Sequence, residues 1–236
     1  MINTEISNIR GNKNMGRAKE ITLKVIPSKI AGTFVKINNS TLHFGAFLDG
    51  GLHGVMSFGP SMDKNNLIKL VEGTRCSNFL ELNRMSFDEY LPRNSESFCL
   101  GKAFRLIKRN APQVKWVISF ADGCSFGDGT IYRASNFILT GIKKNTDLLL
   151  LPSGEKVHKL SLGKYDIKTY LKVSGAQVLE GYQLRYIYFI DKEWRRRLTV
   201  PEIPFSKIDE IGAGMYRGQK ITLKERHINN AAIGIF

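Results

Sequence analysis

The stretch FLELNRMSFDEYLPRNSESFCLGKAFRLIKRNAPQVKWVISFADGCSFGDGTIYRASNFI, residues Phe79 to Ile138, carries strand and helix signals in turn. It reads as a strand over Phe79 to Phe87, a polar loop, a helical stripe, and a second strand over Val114 to Phe120. Another polar loop, a short helical turn and a third strand starting at Asn136 follow. Two of the strand ends open directly into loops bearing hydroxyls, amides and carboxylates. A βαβ unit gathers such loops at one end of a sheet, where α/β proteins place their binding sites. The stretch therefore points to an α/β enzyme, and the rest of the chain is read as what completes its site.

Within the stretch, the first strand sets Leu80, Leu82 and Arg84 against Glu81, Asn83 and Met85. Charged and amide side chains in a half-buried strand need partners, because an unpaired buried charge is costly. Glu81, Asn83 and Arg84 therefore either face solvent on an open edge or line a cleft. After Leu91-Pro92, Ser95 is the expected helix N-cap, with Glu96 and Ser97 in the first turn. Leu100, Ala103, Phe104 and Ile107 form one apolar stripe, and Lys102, Arg105, Lys108 and Arg109 lie opposite. Backbone N–H groups at the start of this helix, beside Arg93, offer a place for a phosphate or pyrophosphate. Beyond the second strand, Asp122 leads into a turn containing Gly123, Gly127 and Gly129, which suits a tight bend or close approach of backbone to a ligand. Asp128 or Thr130 caps the short helix carrying Tyr132. Asp122 and Tyr132 can both move a proton or bind a base edge. Their structural alternatives are an Asx turn and a packed aromatic.

Outward toward the N-terminus, residues 41–59 read as a hairpin whose Asp49-Gly50-Gly51 supplies the positive φ angles of a tight turn. Its first strand alternates Leu42, Phe44 and Ala46 against His43, Gly45 and Phe47. A strand over Ile21 to Ile26 precedes it, followed by a two-turn helix over Lys29 to Lys36 capped by Ser28. Residues 1–20 read as a flexible basic arm, 21–200 as the catalytic domain, and 201–236 as a loop-rich extension packed on that domain. Toward the C-terminus, Leu148 to Leu151 and Leu184 to Ile190 are strand candidates. In DKEWRRR, Asp191 to Arg197, Trp194 either stacks on a base while Arg195 to Arg197 meet phosphates, or anchors a solvated turn.

Lys and Arg outnumber Asp and Glu by 35 to 21, a formal net charge of +14 that suits a polyanionic partner such as DNA or RNA. The three cysteines, Cys76, Cys99 and Cys124, show no close pairing, and no apolar run opens the chain, so a reducing cytoplasm is the expected location. No stretch has the apolar length of a membrane span. Zinc, ATP and NAD motifs are absent from the sequence.

The blocks LHFGAFLDGGLHGVMSFGPS, LELNRMSF, LPRNSES and SFADGCSFGDGTIYRASNF, in this order and spacing, resemble the Mom family of bacteriophage DNA modification proteins. The resemblance implies a GNAT-type, acyltransferase-like α/β domain with a central mixed twisted sheet flanked by helices. It also implies an enzyme that alters the exocyclic amine of adenine in double-stranded phage DNA and so shields it from host restriction. Asp122 and Tyr132 become the leading catalytic candidates, with Glu81, Asn83 and Arg84 lining the same site. Arg93, Asn94, Ser95 and Ser97 occupy the place of a cofactor pyrophosphate. An acyl-CoA donor is implied, although the chain lacks the usual Arg/Gln-x-x-Gly-x-Gly/Ala loop. The family link to iron finds no clear ligand set in the sequence. The chain also passes from Phe34-Val35-Lys36 straight to Ile37-Asn38-Asn39-Ser40, without the His-Tyr-Ser-Gly segment that members carry there. The alternatives are a degenerate member that binds DNA without modifying it, and an acyltransferase acting on a small molecule or protein.

Overall fold

The computed structural model describes residues 16–37, 39–124, 127–162, 166–216, 219–222 and 225. Residues 1–15 of the expected arm, Ser125 and Phe126 of the glycine turn, and 226–236 of the expected extension lie outside the described residues. The strands are β1 (Thr22–Val25), β2 (Leu42–Leu48), β3 (Gly51–Gly59), β4 (Phe79–Phe87), β5 (Trp116–Asp122), β6 (Ile138–Lys144), β7 (Leu148–Leu150), β8 (Lys156–His158), β9 (Gln177–Val178), β10 (Tyr182–Phe189), β11 (Met215–Tyr216) and β12 (Gln219–Lys220). The helices are α1 (Ser28–Phe34), α2 (Lys64–Leu67), α3 (Ser95–Asn110), α4 (Thr130–Ala134), α5 (Ile167–Ser174) and α6 (Ser206–Glu210). The fold is α/β, with a central mixed twisted sheet in the order β1-β2-β3-β4-β5-β10-β6. Its first four strands are antiparallel and β4 runs parallel to β5. The chain divides into two compact units, one comprising Met1–Ser119, Ile131–Ile138 and Ile187–Pro201, the other Phe120–Thr130, Leu139–Tyr186 and Glu202–Phe236.

In the first unit, the hairpin turn forms as its residues dictate, with Asp49 at φ 50° and Gly50 at φ 82°. The faces of β2 are not one inside and one outside: Phe44 and Ala46 are buried, and so are His43 and Gly45 opposite them. The second face is covered because Ile26, Ala31 and Val55 form a small core with Phe34, Phe47 and Leu52 under α1. A larger core joins Leu67, Leu70, Val71, Phe79, Trp116, Ile118, Ile187 and Phe189. Trp116 stacks on Phe79 at 4.5 Å and donates its Nε1–H to the Thr74 hydroxyl at 3.1 Å. Burying each such side chain contributes roughly 1.5–3 kcal/mol. The stripe on α3 is buried as its 3.6-residue period requires, through Cys99, Leu100, Ala103, Phe104 and Ile107.

Two expected caps are corrected. Ser28 is the first helical residue of α1 rather than its cap, because its hydroxyl bonds His43 Nε2 at 2.9 Å. The N-cap of α3 is Asn94, in the left-handed region at φ 65°, and the Ser95 hydroxyl is drawn back to the Pro92 carbonyl. Trp194 takes the anchoring role: it packs against the larger core and carries the Arg197 guanidinium 4.5 Å from its ring.

The second unit holds the three-stranded sheet β8-β7-β9 and the pair β11-β12. Asp128, fully buried, accepts the Met215 N–H at 3.2 Å and the Thr130 hydroxyl at 3.3 Å, which ties the C-terminal segment to the turn before α4. Gly129 sits at φ 86°, and a Cβ there would meet the Tyr186 ring at 2.5 Å, so both the backbone conformation and the space call for glycine.

Candidate active site

The register of β4 organises the site. Its pairing with β5 runs Phe79↔Trp116, Leu80↔Val117, Glu81↔Ile118 and ends there, although β4 continues to Phe87 along β3. Against β3 the register slips, with Ser57 opposite Arg84 but Phe58 opposite Leu82, so Asn83 is an extra residue in the ladder. Such a bulge bends the strand and re-aims its side chains. It explains why strict alternation fails here: Leu82 is buried, Asn83 half-buried and Arg84 exposed. The Asn83 side-chain oxygen accepts the Ser40 hydroxyl at 3.3 Å.

Just past the last β4–β5 pair, the Ser119 hydroxyl lies 3.3 Å from the Leu82 carbonyl and 2.8 Å from the Tyr132 phenolic oxygen, to which it donates. The Tyr132 ring packs on Phe137 with centroids 5.1 Å apart. Burial raises the phenol above its ordinary value, the Ser119 bond lowers it, and the negative charge of Glu81 raises it again. Burial likewise raises the Glu81 carboxyl; a bond from Ser61 opposes this and the charge of Asp63 adds to it. Burial thus makes the Glu81 carboxyl more basic and holds the phenol in its acid form, and the charge of Glu81 is felt at that phenol.

Asp122 lies in the second unit, where its carboxylate accepts the Cys124 N–H at 3.0 Å and so forms the Asx turn. The Cys124 thiol is pushed up to about 12, by burial and then by Asp122, which keeps it from acting as a nucleophile.

Among the residues at the start of α3, Arg93 and Asn94 are exposed and no side chain caps the helix. The Ser95 hydroxyl is engaged with Pro92 and the Ser97 hydroxyl donates to the Asn94 carbonyl at 3.0 Å. An anion here would be met by Arg93, Asn94 and the opening N–H groups of the helix, with the two hydroxyls shaping the turn. The loop before them is held by the hairpin tip: Tyr90 donates to Asp49 at 2.8 Å and stacks on His53, which pairs with Asp88 at 2.9 Å.

Sequence reasoning missed Ser119 and Ser61. The signal for Ser119 was a lone hydroxyl inside the apolar run Trp116 to Phe120. It also missed the chain Ser28–His43–Ser57, in which the buried His43 ring lies 2.9 Å from Ser28 and 2.8 Å from Ser57. Burial lowers the His43 pKa, so the ring is neutral, and one hydroxyl must donate to it while the other accepts. Among the described residues no three His, Cys, Asp or Glu side chains group as a metal would need, so iron has no ligand set there. No described helix is long and apolar enough to cross a membrane.

Residues 21–207 match the family model described as the Mom protein family. The chain is 33% identical over 196 residues to the methylcarbamoylase Mom of Escherichia phage Mu, covering 77% of this chain and 80% of that protein. Among solved structures it is similar to the spermidine/spermine N-acetyltransferase SpeG from Vibrio cholerae in complex with manganese ions, at 8% identity and a TM-score of 0.45, over 77% of this chain and 99% of that one. It is also similar to a GNAT family acetyltransferase from Elizabethkingia anophelis with acetyl-CoA bound, at 11% identity and a TM-score of 0.40, over 72% and 97%. The sequence matches alone carry the assignment.

Proposed function

The chain belongs to the Mom protein family, and we propose on that basis that it transfers a small acyl-derived group to the N6 amine of adenine in double-stranded DNA. The observation that supports this reading most is the Glu81, Ser119 and Tyr132 cluster where the pairing of β4 and β5 ends. Adenine N6 is a weak nucleophile because its lone pair is delocalised into the ring, so bond formation must be coupled to loss of a proton. Glu81, made more basic by burial, accepts that proton. Tyr132 keeps its own proton and donates a hydrogen bond where negative charge develops, with Ser119 holding the phenolic oxygen in place. Asn83 and Arg84 orient the base being modified. Reaching N6 for chemistry requires the base to leave the stack.

Arg93 and Asn94, with the start of α3, fit the anionic end of a donor. An acyl-CoA held there would supply an activated carbonyl and a thiolate leaving group. Nucleoside mass spectrometry on DNA from cells expressing this chain, beside a Glu81→Gln variant, tests the reading. An adenine derivative present with the chain and absent with the variant is expected. Adenine left unmodified at good expression of soluble protein would sink it.

A further inference from the structure

Two basic segments 84 positions apart, around Lys108 on α3 and Lys192 after β10, meet in the first unit. The meeting is built on aromatic packing: Phe104, from the buried stripe of α3, stacks on Tyr188 with centroids 4.1 Å apart and planes at 18°. The Lys192 ammonium lies 4.4 Å from the centre of the same Tyr188 ring. Lys192 is then close enough to Arg195 and Lys108 that their charges, after burial, lower its pKa, and Arg105 is felt by the Tyr188 phenol. The nearby carboxylates are committed elsewhere: Asp191 pairs with Lys115 at 3.2 Å and Glu193 with Arg196 at 3.1 Å. Among the described residues no carboxylate pairs with Arg105, Lys108 or Lys192.

The pull of a helix C-terminus accounts for Lys108 and Arg109 in the last turn of α3. It does not account for Arg105, further inside the helix, or for Lys192, which is held over a ring toward other cations. Like charges gathered on exposed side chains repel one another, and bound anions relieve that repulsion.

We infer that Arg105, Lys108 and Lys192 form a seat for consecutive phosphates of the DNA backbone, which positions the duplex without reading its sequence. The inference rests on the proposed DNA substrate and adds where that substrate is held. With Trp194 packed on the core and on Arg197, the grip is by charge rather than by base stacking.

The test measures binding of the full chain to a fluorescein-labelled duplex across a salt series. It compares Arg105→Gln/Lys108→Gln/Lys192→Gln with a control of equal charge change, Lys19→Gln/Lys29→Gln/Lys36→Gln, whose lysines are exposed in the same unit. Every phosphate left without its cation lowers the slope of log K against log salt by about 0.9, so the first variant should fall by about 2–3 in slope and at least about tenfold in affinity at ~0.1 M salt. The control should keep the slope, and thermal melts of both variants should overlay that of the unsubstituted chain. Equal losses in both variants at matched melting would overturn this seat while leaving the DNA substrate intact. Failure of the unsubstituted chain to bind duplex at low salt would remove the DNA reading and this inference with it.

Discussion

Replacing Tyr132 by Phe removes one oxygen and leaves the ring against Phe137, so its effects on folding and on chemistry separate cleanly. The hydrogen bond from Ser119 that this removes, 2.8 Å long, is worth about 1 kcal/mol net in a folded protein. Ser119 does not become an orphan, because the Leu82 carbonyl lies 3.3 Å away as a second acceptor. Loss of that bond in Tyr132→Phe therefore costs about 1 kcal/mol, a few degrees in Tm. A positioned hydrogen-bond donor to developing negative charge contributes about 10²- to 10³-fold in rate, which at ~1.4 kcal/mol per tenfold is roughly 3–4 kcal/mol of barrier. Activity should thus fall by at least about a hundredfold while the fold is nearly unaffected. The assay is the accumulation of modified adenine after induction, at matched soluble protein, alongside the Tm of the purified variant. Ser119→Ala, which keeps the phenol but frees its orientation, should lose roughly tenfold. A Tyr132→Phe variant that modifies adenine within about threefold of the parent rate, at unchanged Tm, would refute the role given to the phenol.

Glu81→Gln should abolish most activity and yet stabilise the protein at neutral pH. Burial holds this carboxyl above its ordinary 4.5, so the stability of the parent is fully present below that pH and is lost as pH rises through the raised value. The Tm difference between variant and parent should widen from acid toward pH 7, and a parent that is more stable than the variant at pH 7 would count against it. His43 has the opposite sign: its lowered pKa means that stability is present above the ordinary 6.5 and is lost as pH falls through the lowered value. His43→Gln should flatten the acid limb of the Tm–pH curve and cost about 1–3 kcal/mol through the disturbed bonds to Ser28 and Ser57. Gly129→Ala should cost roughly 2–5 kcal/mol, from a strained positive φ and a clash with the fully buried Tyr186 ring. Denaturant midpoints measure it, with hydrogen exchange expected to rise first in the second unit.

The sequence by itself determined what short-range chemistry controls. Asp49-Gly50 set the hairpin because those residues tolerate positive φ, and the spacing of Leu100, Ala103, Phe104 and Ile107 set the buried face of α3. The order of strands and helices around the βαβ stretch was legible for the same reason, and the family was legible in the sequence blocks that resemble it. Tertiary structure alone decided which of these groups act on one another. Arg84 is exposed because β4 slips by one residue against Ser57 and Phe58, a register that depends on pairing with a strand some 27 positions earlier. Ser119 finds Tyr132, Glu81 is felt by that phenol, and Lys192 meets Lys108 through a stack of Phe104 on Tyr188. Ser28 and Ser95 have the composition of helix caps, but their hydroxyls serve His43 and Pro92 instead. Local preference is worth about 1 kcal/mol at a cap, and a hydrogen bond to a distant partner is worth as much, so position in the fold settles which one a side chain makes.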